Sequence, residues 1–332
     1  MNTLPLPSLA VVIPCYNEQE VLPLTLDVLL KIFKRLIEKE KINQNSYILL
    51  VDNGSKDKTW EVIKNASHAN SQQIRGIKLT RNRGHQIGLI AGLECADTDM
   101  VISIDADLQD DPEIIEQMVD QHQAGYDIVY GVRNSRQTDS RFKRNTALLF
   151  YKLMEWLGVE QVYNHADYRL MSRKAKDALM QYKENNVYLR GLVPLLGFNS
   201  TQVYYSRAPR AAGESKYPVK ALLSFAAEGI TSLSVAPLRL ITITGFFIFI
   251  CSILAIFYIL IAKLLGGTLQ GWTSLIITIS FFGGAQMLAL GVIGEYVGKI
   301  YNEVKNRPKF IIEEKTYSSI LNENNSPTSS VN

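Results

Sequence analysis

The chain has 332 residues, 47% of them hydrophobic, and a formal net charge of +3. That length admits one large domain plus something smaller. So small a charge, with no basic stripe interleaved with aromatics, gives no argument for nucleic-acid binding, and none is expected. The cysteines Cys15, Cys95 and Cys251 form no CxxC pair and point to a reducing compartment, and His68, His85, His122 and His165 lack zinc-ligand spacing.

The first half alternates strand and helix signals. Leu9–Ile13 is a short apolar run stopped by Pro14, and a helical pattern follows through Ile37. Tyr47–Val51 is a second strand, ending in Asp52-Asn53-Gly54-Ser55. Trp60–Ala66 is predicted helical, Ile74–Leu79 a strand and Gln86–Cys95 a helix. Met100–Ile104 is a fourth strand running into Asp105, Pro112 opens a helix at its first turn, and Tyr126–Val132 is a fifth strand. Continuous apolar strands alternating with helices predict an α/β domain with a mainly parallel sheet covered on both faces. Ligands of such sheets bind beyond the carboxyl ends of the strands. Polar clusters stand at those ends here: Tyr16-Asn17-Glu18, Asp52-Asn53-Gly54-Ser55, Arg81-Asn82-Arg83-Gly84 and Asp105-Ala106-Asp107. A dinucleotide-binding domain would need a Gly-x-Gly-x-x-Gly turn after the first strand, where this chain has Pro14-Cys15-Tyr16-Asn17-Glu18.

Between Val235 and Val297 the only charges are Arg239, Lys263 and Glu295. Leu240–Ala262 and Trp272–Tyr296 are predicted as two transmembrane helices, each about 35 Å long at 1.5 Å per residue. Trp272 and Tyr296 sit where interfacial aromatics are expected. Arg207, Arg210, Lys216, Lys220 and Arg239 precede the pair, and Lys299, Lys305, Arg307 and Lys309 follow it. The positive-inside rule therefore predicts both flanks, with the large domain, on the cytoplasmic side of a cell membrane. No basic segment followed by an apolar core opens the chain, so no signal peptide is expected. Tyr217–Leu233 carries Leu222, Leu223, Phe225, Ala226 and Ile230 at helical spacing. It is either an amphipathic helix in the headgroup region or a helix packed on the large domain. The expected domains are 1–215, the large cytoplasmic α/β domain; 216–234, the amphipathic juxtamembrane helix; 235–298, the two-helix transmembrane hairpin; and 299–332, a cytoplasmic polar tail. No structure is expected after Glu313. Gly283-Gly284 and Gly291-x-x-Gly294 would allow close helix packing, within the chain or in a homo-oligomer.

The chemistry is expected at Asp105-Ala106-Asp107-Leu108-Gln109-Asp110-Asp111-Pro112. Two carboxylates spaced two apart at a strand end can hold one hard divalent cation, and such an ion neutralises a diphosphate leaving group. Asp110 and Asp111, just before Pro112, are read as helix-start charges.

Taken in order, Pro14-x-Tyr16-Asn17-Glu18, Asp52-Asn53-Gly54-Ser55-x-Asp57-x-Thr59, Arg81-Asn82-x-Gly84, Asp105-Ala106-Asp107-Leu108-Gln109 and Arg210-x-x-Gly213-x-Ser215-Lys216 resemble the family-2 glycosyltransferases that act on polyprenyl phosphates. Dolichol-phosphate mannose synthase and the bactoprenol glucosyltransferases are of this kind. The resemblance implies a GT-A fold. It implies nucleotide-sugar contacts from Pro14, Tyr16, Glu18, Asp52, Asp105 and Ala106. Asp105, Asp107 and Gln109 would hold Mg²⁺ or Mn²⁺. Asn53 departs from the family pattern, which usually has a second aspartate there. Arg210, Ser215 and Lys216 supply partners for a lipid phosphate; Arg133 is either a further acceptor-phosphate residue or a salt-bridge residue. Asp167, in Asp167-Tyr168-Arg169, matches the family's general-base segment. A phosphate monoester, with its second pKa about 6, hardly needs a base, so Asp167 would orient the acceptor or stabilise charge on the sugar. The implied reaction is an inverting transfer of a hexose from a nucleotide-sugar (UDP-glucose, or another donor such as GDP-mannose) to undecaprenyl phosphate. A processive polysaccharide synthase would need more spans and a Gln-x-x-Arg-Trp segment. A catalytically silent scaffold is favoured by Asn53 alone.

Overall fold

The computed structural model describes residues 5–134, 165–184, 188–206, 236–265 and 271–317. Its centre is the strand β1 (Leu9–Cys15), flanked in parallel by β2 (Tyr47–Asp52) and β4 (Met100–Ser103), with β3 (Ile74–Leu79) parallel beyond β2. These are the apolar runs of the sequence, and every residue of β2 and β4 is buried, as expected of strands covered on both faces. β1 continues through Pro14, which pairs with Val51 of β2. The last β1 residue paired with β4 is Val12. The N–H that proline lacks therefore has no β4 partner to miss.

The sheet is mixed rather than parallel throughout. Its eight-stranded order is β7-β5-β6-β4-β1-β2-β3-β8. β5 (Ile128–Arg133) and β7 (Ser200–Tyr205) are parallel, whereas β6 (His165–Ser172) runs antiparallel to both β4 and β5. β8 (Ile312–Lys315) pairs antiparallel with β3. The segment expected to be a structureless tail thus starts as an edge strand. Trp60 donates from Nε1 to Glu314 (2.9 Å), Thr316 Oγ1 accepts from the Gly76 amide (2.8 Å), and Lys78 pairs with Glu313 (3.1 Å).

The helices α1 (Leu22–Glu38), α2 (Thr59–Ala69), α3 (His85–Cys95) and α4 (Ile114–Gln123) each follow a strand. α1 buries Leu22, Leu26, Leu29, Ile32, Phe33 and Leu36 at helical spacing, each such burial contributing roughly 1.5–3 kcal/mol. Two shorter helices, α5 (Arg173–Met180) and α6 (Leu189–Leu195), follow β6.

By its internal contacts the chain divides into two units, one of residues 1–148, 161–216 and 308–332, the other of 149–160 and 217–307. The second contains α7 (Ala236–Leu264) and α8 (Trp272–Val304), which touch each other. Phe246, Phe247, Leu254, Phe257, Met287 and Leu288 are exposed along them. A Cβ built on Gly283, Gly284, Gly291 or Gly294 would meet nothing, so these glycines pack against no described part of the chain. Over the described residues, no helix is long and apolar enough to cross a membrane. Several side chains inside α7 and α8, and the predicted amphipathic segment 216–234, lie outside the described residues.

Candidate active site

The ends of β1, β2 and β4 and the start of α3 deliver the polar clusters to one place. β2 ends in Asp52, fully buried. One of its carboxylate oxygens accepts from the Ser55 amide at 3.0 Å; the other is buried with no partner in the protein. Burial raises its proton affinity, the Ser55 hydrogen bonds opposing. An orphaned buried acceptor is costly unless a ligand donates to it. The loop after β1 is knitted to this turn: Asn17 donates its amide to Ser55 (3.0 Å), and Glu18 to Thr59 (2.9 Å). Pro14, Tyr16 and Glu18 are all half-buried beside it.

Asn53 has a different job from the one the family pattern suggests. Its side-chain amide donates to the Gly84 carbonyl (3.0 Å) and Asn82 Oδ1 (3.3 Å), while its oxygen accepts from the Arg83 amide (3.1 Å). A carbonyl only accepts and a backbone N–H only donates, so these partners fix the orientation. A carboxylate could not make the first two bonds. Asn53 ties the end of β2 to the loop that caps α3. Gly54 (φ 69°) lies against this loop: a Cβ there would meet the Arg81 carbonyl carbon at 2.5 Å, so only glycine fits. Arg83 donates from Nε to the Lys309 carbonyl at 2.9 Å, linking the same loop to the C-terminal segment.

Beyond β4, Thr25 of α1 donates to the Ala106 carbonyl at 2.7 Å, holding the acidic loop against the helix. Ala106 is buried in the core. Leu108 has φ 54°, a left-handed conformation that costs a non-glycine residue of order 1–3 kcal/mol and marks functional loops. The Gln109 amide donates to Asp107 Oδ1 at 3.1 Å. His85 Nε2, at the head of α3, lies 3.4 Å from Asp105 and 3.8 Å from Asp167. Two-fifths of the Asp105 side chain is accessible. Enclosure in the cleft and the charges of Asp110, Asp167 and Asp107 nevertheless push its carboxyl above the usual range, against the pull of His85.

Asp110 and Asp111 part company. Asp111 Oδ1 accepts from the Glu113 amide at 3.0 Å, the helix-start role expected of it. Asp110 does not cap the helix. It is buried, and its Oδ1 accepts from Arg133 (2.8 Å) and from the Tyr205 hydroxyl (2.6 Å). Sequence proximity to Pro112 concealed partners on β5 and β7. Arg133, candidate for the acceptor phosphate, thus stands in a salt bridge.

Asp167 on β6 is the most heavily bonded acid. It accepts from Arg169 (2.6 Å), from Gln86 Nε2 (3.1 Å) and from Arg190 through Nε (3.3 Å) and a terminal nitrogen (3.1 Å). Burial alone would raise its pKa, but Arg190 and Arg169 overcome this and hold it far below the usual carboxylate range. Such a group is a poor proton acceptor at neutral pH. The contacts of Gln86 and Arg190 with Asp167 were missed in the sequence because they are made across 81 and 23 residues of chain. Arg210, Ser215 and Lys216 lie outside the described residues.

Residues 10–179 match the family described as Glycosyl transferase family 2. YkoT, an uncharacterized glycosyltransferase of Bacillus subtilis, is 50% identical over 317 residues, 95% of this chain and 94% of its own. The chain belongs to glycosyl transferase family 2. The bactoprenol glucosyl transferase of Shigella phage SfII is 38% identical to this glycosyltransferase over 309 residues, 92% of this chain and 97% of its own. Among solved structures, glucosyl-3-phosphoglycerate synthase from Mycobacterium tuberculosis aligns with 68% of this chain and 77% of that one, at TM-score 0.44 and 15% identity. So loose a likeness says nothing about the site.

Among the described residues no three His, Cys, Asp or Glu side chains are grouped to hold an ion by themselves. Asp105 and Asp107 offer two. That suits a hard cation completing its shell with diphosphate oxygens and water.

Proposed function

We propose that this glycosyltransferase moves a hexose, glucose in the first instance, from a nucleotide-sugar such as UDP-glucose to undecaprenyl phosphate at the cytoplasmic face of the cell membrane. One observation carries the reading. Asp52, with its orphaned buried oxygen, and the Asp105/Asp107 pair follow the two strands that flank β1, in a chain that aligns nearly end to end with proteins named bactoprenol glucosyl transferases. Asp52 accepts a hydrogen bond from the nucleoside. Asp105 and Asp107, with Gln109, hold Mg²⁺ or Mn²⁺, which when bound supplies charge neutralisation at the diphosphate. The acceptor phosphate oxygen forms the new bond to the anomeric carbon as the bond to the diphosphate oxygen breaks on the opposite face, inverting the configuration. The acceptor arrives already largely ionised, which agrees with the low basicity of Asp167.

The reading includes the membrane. Leu240–Ala262 contains no charged residue, and with Trp272–Tyr296 it forms an anchoring hairpin whose basic flanks lie in the cytoplasm. Arg210, Ser215 and Lys216, just before it in the chain, meet the lipid phosphate. The scaffold alternative loses its one support, because Asn53 has a structural explanation that leaves the acids intact. Purified protein in detergent, incubated with Mg²⁺, polyprenyl phosphate and a panel of labelled nucleotide-sugars, tests this. Labelled lipid from UDP-glucose is expected. Label from another donor alone would change the sugar, and none from any donor would end the reading.

A further inference from the structure

We propose that the C-terminal strand β8, with the residues beside it (309–316), is a positioning element of the donor site: docked on β3, it holds the loop 80–84 in place. This rests on the transferase reading above. The loop is gripped from two sides. From β2, Asn53 bonds Asn82, Arg83 and Gly84, and Gly54 packs on Arg81. From the C-terminal segment, the Ile311 carbonyl accepts from the Thr80 amide (3.1 Å) and the Lys309 carbonyl from Arg83 Nε (2.9 Å). The loop leads to the acids of the site. Asn53, which it bonds, is the chain neighbour of Asp52. The loop also runs straight into α3, where His85 stands 3.4 Å from Asp105 and Gln86 donates to Asp167 at 3.1 Å. Displacing the loop therefore displaces the head of α3 and the turn that shapes Asp52.

The hold of β8 is of a kind that can open. Glu313, Glu314 and Lys315 are exposed, so little apolar burial keeps the strand in place. Its anchors are polar. Glu314 accepts from Trp60 and Glu313 pairs with Lys78. At the far end Thr316 Oγ1 accepts from the Gly76 amide and from the Ser67 hydroxyl, each at 2.8 Å. An element with few buried apolar contacts opens at low free energy. A ligand that needs the loop in place favours the docked strand, and by linkage the docked strand favours the ligand to the same extent. The device belongs to this chain rather than to the general pattern. Residues 309–316 lie beyond the 10–179 matched to the family, and Arg83 occupies the open position of Arg81-Asn82-x-Gly84.

The test uses the full-length protein in detergent, with UDP and Mn²⁺ as the probe. Arg83→Met removes the bond to Lys309 at an exposed position, and its UDP Kd, by calorimetry, is expected to rise roughly 3- to 10-fold. Thr316→Val removes two hydrogen bonds at the far end of the strand and is expected to raise the Kd in the same way. Thr316→Ser restores the hydroxyl and should bind UDP as the wild type does. Because both losses pass through one strand, the double variant should be no worse than the weaker-binding single one. Saturating UDP should slow amide hydrogen exchange across 311–316 in the wild type, and less so in Arg83→Met. A strand that only braces the sheet would lower the melting temperature of Thr316→Val and leave its UDP affinity unchanged. That result, additive losses in the double variant, or exchange in 311–316 indifferent to UDP would each overturn the proposal. If Thr316→Val does not fold, Arg83→Met and the wild-type exchange carry the test. If the wild type binds neither UDP nor GDP, the donor reading fails. Exchange of the 80–84 amides in Thr316→Val, expected to quicken, then decides by itself whether the strand holds the loop, and unchanged exchange would end the idea.

Discussion

Two groups of carboxylates around the site are treated in opposite ways. Beyond β2 and β4, Asp52 keeps one buried oxygen without a protein partner, and burial and neighbouring carboxylates raise Asp105 against the pull of His85. Beside β5, β6 and α6, Asp110 and Asp167 are saturated by Arg133, Tyr205, Arg169, Arg190 and Gln86. Breaking a buried ion pair costs roughly 3–5 kcal/mol, so the second pair belongs to the framework. The first pair is held at a cost that a ligand would relieve. Type and spacing alone make all four look alike; their partners separate them, Asp110 and Asp167 being held by cations of the protein.

The contrast is open to direct attack. The largest effect is expected for Asp107→Asn: transfer falls about a thousandfold with the melting temperature unchanged, as radiolabel incorporation and a thermal melt would record. Next is Asp52→Asn. The donor KM rises roughly tenfold, while stability holds or increases, because burial already penalises that carboxylate; a lower melting temperature would place Asp52 with the framework instead. Asn53→Asp installs the residue usual in the family, yet two donated hydrogen bonds are lost and a carboxylate faces the Gly84 carbonyl. A loss of roughly 1–3 kcal/mol is expected, read as a melting temperature several degrees lower, and wild-type behaviour would refute the tie between β2 and α3. The smallest effect is at the surface. Lys39 and Lys41 hold Glu116 down to about 2. A depressed carboxylate pKa contributes stability that is complete above the unfolded value near 4.5 and is lost as the pH falls towards 2. Glu116→Gln should therefore cost about 1 kcal/mol at pH 7, and the penalty should shrink in melts below pH 4.5.

Much of the donor end was legible in the sequence because it is built from local pattern. Strands β1, β2 and β4 are built on apolar runs, Asp52 ends β2, and Asp105 and Asp107 come just after β4. β6 was not, since His165-Ala166-Asp167-Tyr168-Arg169-Leu170 interrupts any apolar run with charges that are buried only by pairing. Its antiparallel insertion turns a parallel sheet into a mixed one. β8, Ile312-Glu313-Glu314-Lys315, is a polar edge strand whose signal lies in its partners on β3 and α2. The contacts of Asp110, Gln86 and Arg190 were hidden for the same reason: each is made to a residue far away in the chain. Asn53, read as a lost charge, is a gained pair of donors once Gly84 is beside it.

The central claim is that Asp105 and Asp107 hold a divalent ion against the donor diphosphate. Calorimetric titration of UDP-glucose into wild type and into Asp105→Asn/Asp107→Asn, each with and without Mn²⁺, tests it most directly. Wild-type affinity should rise at least tenfold with the ion, and the double variant should show no such gain. Equal enhancement in both proteins would contradict the account.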